Sequence, residues 1–396
     1  MGVASVIEGR KAREFESQYS FPYEIVVHDD EADKYAADHP DSVQLAYEGM
    51  IEATELAYDD IRAGHPEWKS GTKEALRRAP GVKEWFPYLN TDLSLYFLSY
   101  PKENLLVPGI PLPEDLKEWQ NLLIGIGIRE RMARFKSSTI DAAIAHAEKE
   151  GVNGQRFNQL ELGCGNGRNA LTILREIIEL GHNAHFTLLD SQSVSLERAV
   201  QYATEMNIPG DNYQIMEGDL FSINGILIKK VGGTAIGSTT SGVNLDSISS
   251  LDIPVRFHRI NDSGVTGCYA FEDEWEQSEV SSFGPALDTP LRRAGQITLM
   301  QEIWKYLEKG GSYMRDSMNL VNPINPDGQL PLVDYLRHVI NWQGLVPTTI
   351  HGDQGIEGEI GMLPMIEKAQ LSGLAKVIVH ISPNGVFNCY ELLKAA

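Results

Sequence analysis

The residues with the clearest chemical potential lie in "FNQLELGCGNGRNALTILREI", Phe157 to Ile177. Gly163, Gly165 and Gly167 alternate over five residues, and Glu161 stands two residues before the first of them. Glycines at alternate positions let a backbone pass close to a bulky ligand. Apolar residues precede the turn and a helical pattern follows, so a ligand held here lies against a helix start. The dinucleotide spacing G-x-G-x-x-G is absent, because Arg168 stands where its third glycine belongs. Glu161 would repel a pyrophosphate and face an ammonium group instead.

Further groups follow downstream. Asp190 ends the apolar run "AHFTLLD", 23 residues after Gly167, with Ser191 next to it. A carboxylate there can accept from two hydroxyl donors. "MEGDLF" supplies Gly218, Asp219 and Leu220 at the end of another apolar run. Three groups are candidates for a base or a substrate contact: His258 in "VRFHRIND", His351 in "TTIHGDQG" and Asp316 in "MRDSMN". Each has a plainer reading, His258 as a solvated loop histidine and Asp316 as a loop cap. Cys164, inside the turn, reads as a small filler. The aromatic run from Trp85 to Tyr100 could roof an apolar pocket or form an ordinary core.

The elements that must position these groups alternate. "FNQLELG", "AHFTLLD" and "YQIMEGDLF" read as strands, separated by the helices "RNALTILREIIELG" and "SVSLERAVQYATEMNI". Strand–helix alternation at this interval predicts βαβ units and a parallel α/β sheet. The rhythm breaks from Asn224 to about Ala294, where "SLDIPVRFHRI" is the best strand candidate. It resumes as helix, turn and strand in "QITLMQEIWKYLEKGGSYMRDSM", and Asn384-Gly385 predicts a hairpin between two closing strands. Residues 1 to about 40 read as a loose polar arm, and the rest of the first 150 as mostly helical.

With those residues in view, "LELGCGNGR" resembles motif I of the class I S-adenosylmethionine-dependent methyltransferases. S-adenosylmethionine carries a sulfonium and an ammonium, which suits an acidic turn. The resemblance implies that Glu161, Gly163, Gly165 and Gly167 hold the methionine side of this cofactor. It implies that Asp190, with Ser191, binds the ribose hydroxyls, and that Gly218, Asp219 and Leu220 flank the adenine. "YLEKGGSYMRDS" is similar to the family's segment before strand five. The implied fold is a Rossmann-like seven-stranded, mostly parallel sheet with an antiparallel C-terminal hairpin. The expected domains are a helical N-terminal cap over 1–150 and a cofactor-binding domain over 151–396, with an insertion at 224–294 near strand four. Asp219 and Gly310 are 91 residues apart, longer than one strand and one helix need. No Asn-Pro-Pro-Tyr or Asp-Pro-Pro-Tyr occurs, so the acceptor atom stays open between oxygen and nitrogen.

Composition narrows the partner. Fifty-five acidic against 34 basic residues leave a formal charge of −21. Nucleic-acid binding draws its affinity from basic faces, so this balance favours a small-molecule acceptor. Protein or RNA methylation, or a non-catalytic cofactor-binding role, are the alternatives, and a homodimer is a candidate assembly. Three scattered cysteines, the absence of an apolar leader and the lack of an 18-residue apolar run point to a cytoplasmic protein with no membrane partner.

Overall fold

The computed structural model describes residues 3–8, 11–16, 18–28, 32–41, 45, 82–88, 91–150, 155–218, 228–233, 256–263, 290–319, 352–353 and 362–396. Strands β1 (Val3–Glu8), β2 (Lys11–Glu16) and β3 (Tyr23–Val27) come first. A small hairpin of β4 (Leu105–Val107) and β5 (Ile110–Pro111) precedes the long helix α1 (Leu123–Glu150). The alternating region holds β6 (Phe157–Leu162), α2 (Arg168–Glu179), β7 (Ala184–Asp190), α3 (Ser193–Glu205) and β8 (Tyr213–Gly218). It is followed by β9 (Ile228–Gly233), β10 (Phe257–Asp262), α4 (Pro290–Lys305) and β11 (Leu307–Asn319). The chain closes with β12 (Gly352–Asp353), α5 (Met362–Ala369), β13 (Leu374–Ile381) and β14 (Phe387–Lys394).

One sheet runs in the order β2-β1-β3-β13-β14-β11-β10-β6-β7-β8-β9, with β12 paired to β11. The five strands from β8 to β11 in that order are mutually parallel, and β14 is antiparallel to both β11 and β13. After β6 the chain runs outward through β7 and β8, then returns to lay β10 on the other side of β6. Ligands bind outside the carboxyl ends of the strands at such a reversal. The parallel strands are buried on both faces: β6 has five buried residues of six, and β7 has six of seven. This follows from covering both faces with helices. Ala143 of α1 joins Leu171, Leu174 and Ile177 of α2, Ala199 of α3 and Phe186 and Leu188 of β7 on one face. Met300 and Trp304 of α4, and Leu363 and Ile366 of α5, cover Leu160, Leu162, Ile260 and Tyr313 on the other.

The seven expected strands are β6, β7, β8, β10, β11, β13 and β14, but they are part of a sheet of 12. The N-terminal residues read as a loose arm supply three of the additional strands. β3 pairs in parallel with β13, from Tyr23↔Val377 to Val27↔Ile381, and β1 pairs with β3. Its side chains explain the docking: Tyr23 is buried, and Glu24 pairs with Lys376 across the strands. β13 would otherwise be an edge with open hydrogen-bonding groups. Two 3-10 turns, Glu114–Leu116 and Glu118–Asn121, precede α1. α1 lies on the sheet, so the first 150 residues are not purely a helical cap set apart from it. Asn384-Gly385 turns between β13 and β14 as expected, with φ +71° at Gly385.

Candidate active site

β6 ends at Leu162, and the chain turns at once through three left-handed glycines, with φ +56°, +54° and +66° at Gly163, Gly165 and Gly167. Any other residue would be strained there. A Cβ on Gly167 would lie 2.7 Å from Leu188 Cδ2 and 3.0 Å from Ala199 Cβ, so this glycine also sets how α2 packs on β7 and α3. The Cys164 amide donates to the Leu189 carbonyl at 3.0 Å, tying the turn to the end of β7.

Asp190 terminates β7 beside the turn. One carboxylate oxygen accepts from the Gly165 amide at 2.8 Å and the other from the Gln192 amide at 2.9 Å. Each oxygen keeps a second lone pair, which is what a vicinal diol requires. Burial raises the Asp190 pKa and Asp92 adds to it, while the amides of Gln192, Gly165 and Ser191 oppose the rise. Ser191 itself is exposed. Gly218 ends β8, two strands from the turn, and Asp219 and Leu220 lie outside the described residues.

A third carboxylate reaches the turn from the N-terminal region, and no sequence pattern marks it. Asp92 accepts from Ser195 Oγ at 2.8 Å and pairs with Arg198 at 2.5 Å. Its Cβ would be 3.3 Å from a Cβ on Gly165. The Cys164 thiol registers the resulting field. Burial pushes its pKa well up, and Asp190, Glu161 and Asp92 each push it further. A turn with glycine at alternate positions and three acids beside it fits a ligand with positive charge beside a ribose, and S-adenosylmethionine is such a ligand.

Glu161 faces α1 at the head of a buried polar chain. It accepts from Gln159 Nε2 at 2.9 Å and from Asn261 Nδ2 at 3.1 Å. Burial pushes its pKa up to about 7, against the pull of Asn261, Gln159 and Arg259. Arg259 on β10 is fully buried and donates to Asn261 Oδ1 (2.9 Å), Ser312 Oγ (2.8 Å) and Ser138 Oγ (2.9 Å), and it pairs with Glu391. Burial pushes the Glu391 carboxyl up, but Arg259 and His380 outweigh it and hold the pKa below the usual range. His380 continues the chain to His28 at 2.9 Å.

The candidate bases are placed unequally. His258 lies near the amino end of β10, on the edge opposite the glycine turn. Its Nδ1 accepts from the Asn158 amide at 3.0 Å, and its ring packs against His146 and Phe157. Burial pushes its pKa down to about 4, helped by His146 and Lys149. About four residues of strand, on the order of 13 Å, separate it from the carboxyl edge, which removes it as a base. Asp316 does stand at that edge, but it is buried and paired with Arg131 at 2.6 Å, facing α1. His351 lies outside the described residues. Asp262, at the end of β10, is a further acid at that edge, and the irregular pattern of its strand did not mark it in the sequence. It is level with Leu162 and with Arg315 in the paired register, so it sits beside the start of the turn. Tyr313 donates to it at 2.8 Å.

The aromatic run divides between the two readings. Trp85 packs edge-on against Phe97 and Trp119 as core. Tyr96 and Tyr100 instead enclose Arg168, the first residue of α2. The guanidinium carbon is 4.0 Å from the Tyr100 ring centre, Nη1 donates to Tyr96 at 2.6 Å, and the head pairs with Glu103.

No family model and no curated protein matches the sequence. Solved structures do. A possible exported protein from Bordetella parapertussis is 11% identical with a TM-score of 0.50, over 89% of this chain and 97% of that one. An O-methyltransferase family protein from Burkholderia thailandensis is 10% identical with a TM-score of 0.36, over 83% and 72%. N,N-8-amino-8-demethyl-D-riboflavin dimethyltransferase from Streptomyces davawensis is 13% identical with a TM-score of 0.37, over 84% and 75%. At these identities the likeness concerns the fold alone. The reversal of strand order at β6, the glycine turn at its carboxyl end and the acid at the end of β7 give the chain a fold that resembles the class I S-adenosylmethionine-dependent methyltransferases.

Proposed function

We propose that this protein is an S-adenosylmethionine-dependent methyltransferase that acts on an oxygen or nitrogen of a small-molecule acceptor in the cytoplasm. The observation that carries the reading is the presence of Glu161, Asp190 and Asp92 around a turn with glycine at three alternate positions, one of them tied to Asp190 through the Gly165 amide. Three acids disfavour a dinucleotide pyrophosphate and favour a cation. Gly163, Gly165 and Gly167 would admit the methionine portion, Glu161 would face its ammonium, and Asp190 would accept from the ribose hydroxyls. Gly218, Asp219 and Leu220 are proposed for the adenine side. When bound, the cofactor supplies a methyl carbon on a sulfonium, open to in-line displacement.

The residues of the chain orient the acceptor and take its proton. Asp262 is the proposed general base, because it ends the strand next to the turn and Tyr313 holds one of its oxygens in place. Asp316, held by Arg131, is a positioning residue in this scheme. The net charge of −21 supports a small acceptor rather than nucleic acid. Calorimetric titration of S-adenosylmethionine, S-adenosylhomocysteine and NAD tests the assignment. Binding of the first two, lost in Asp190→Ala, supports it. Binding of NAD alone rejects it.

A further inference from the structure

Arg315 lies on β11 four residues before its last residue, Asn319, level with Asp262 at the end of β10 and one strand further from the glycine turn. It is 1% exposed. Among the described residues, neither its Nε nor its Nη1 has a hydrogen-bond partner, and no acidic side chain forms an ion pair with it. Asp262 is its register neighbour on the same face, yet that carboxylate is held by Tyr313. Tyr390, opposite Arg315 on β14, is the other titratable group in this row. A buried guanidinium with idle N–H groups is costly, and packing gains nothing from it that a Met side chain would not also supply. Its place, level with the ends of β6 and β10 and beside the proposed base, is where the methyltransferase reading puts the acceptor. Guanidinium groups bind planar oxyanions through paired hydrogen bonds.

We propose that Arg315 binds a carboxylate of the ligand, and that the methyl acceptor is a small carboxylic acid whose nucleophilic atom is presented to Asp262. This rests on the methyltransferase reading for the acceptor's identity. A second source of the same chemistry is the methionyl carboxylate of the cofactor, and the test separates the two. The row geometry favours the acceptor, because Asp262 lies between Arg315 and the end of β6.

The probes are salicylate, which carries a planar carboxylate beside a hydroxyl, and neutral salicylamide. Each is titrated with and without saturating S-adenosylhomocysteine. The wild type is expected to bind salicylate roughly tenfold or more tightly than salicylamide, the scale of one hydrogen-bonded charge. Arg315→Met is expected to erase that preference, keep the affinity for S-adenosylhomocysteine, and melt at a higher temperature than the wild type without ligand. Arg315→Lys, which keeps the charge and loses the fork, should retain part of the preference. Equal binding of the two probes, no salicylate binding, or a preference that survives in Arg315→Met overturns the proposal. A lowered melting temperature in Arg315→Met also overturns it, because the guanidinium is then structural. A tenfold loss of S-adenosylhomocysteine affinity in Arg315→Met, with salicylate indifferent, gives the carboxylate to the cofactor and overturns the acceptor assignment. If the wild type binds no S-adenosylhomocysteine, the methyltransferase reading fails by itself, and the salicylate preference still decides the role of Arg315.

Discussion

Two buried arginines on adjacent strands are treated in opposite ways. Arg259, on the α1 face of β10, has Asn261, Ser312, Ser138 and Glu391 around it. Arg315, on the other face of β11 and level with the end of β10, has idle donors on Nε and Nη1. Both have left water. One has been given a complete set of internal partners and the other has not. A saturated buried ion network pins elements together, here α1, β10, β11 and β14. An unsaturated one is a site that a ligand completes.

The largest expected effect tests the saturated side. Arg259→Met leaves Glu391 buried without its guanidinium, which should cost about 3–5 kcal/mol in urea denaturation. A loss below about 1 kcal/mol would remove the contrast, since Arg315→Met is expected to go the other way. Next is Gly167→Ala. Its left-handed φ alone costs about 1–2 kcal/mol, and the overlap with Leu188 and Ala199 adds to that. Unchanged stability would mean that the turn can be rebuilt without a glycine. Asp190→Ala should weaken S-adenosylhomocysteine by about 1.5–3 kcal/mol, roughly ten- to 150-fold, through lost charged hydrogen bonds. Calorimetry showing less than about a twofold change would take the ribose contact away from Asp190.

The smallest effect concerns pH. Burial raises Glu161 above its unfolded value to about 7, so its contribution to stability is full below the unfolded pKa. That contribution is lost as pH rises toward 7. Glu391 is shifted the other way, so its contribution is present above the unfolded value and lost in acid. Glu161→Gln should therefore flatten part of the fall in stability between about pH 5 and 7. Glu130, which burial also pushes up to about 7, contributes to the fall that remains. An identical slope in the variant would show that burial does not raise the Glu161 pKa in the folded protein.

Much of the cofactor half is legible in the chain's own residues. Gly163, Gly165, Gly167 and Asp190 are set by local chemistry: a turn that needs left-handed residues and a strand end one helix later. The spacing of Leu171, Ile173, Leu174, Ile177 and Ile178 reads as the buried stripe of α2, and the first four are buried whereas Ile178 is half-buried. The acceptor half is not legible in the same way. β10 lies in a region of weak periodicity, and its polar side chains, Arg259, Asn261 and Asp262, break the apolar run that normally marks a central strand. His258 is the conspicuous residue there, yet the direction of the strand puts it at the opposite edge.

What the sequence by itself determined is therefore the alternation from β6 to β8, the glycine turn and the hairpin at Asn384-Gly385, all of which depend on neighbours in the chain. Only the tertiary structure decided the rest. β3 joined the sheet because β13 offered an edge. Asp92 reached the turn from 73 residues before Gly165. Arg259 acquired partners from three other elements, and Arg315 acquired none for its Nε and Nη1 among the described residues. The physical reason is one of range. Backbone strain and periodicity act within a few residues, whereas burial and charge pairing depend on register between strands far apart in sequence.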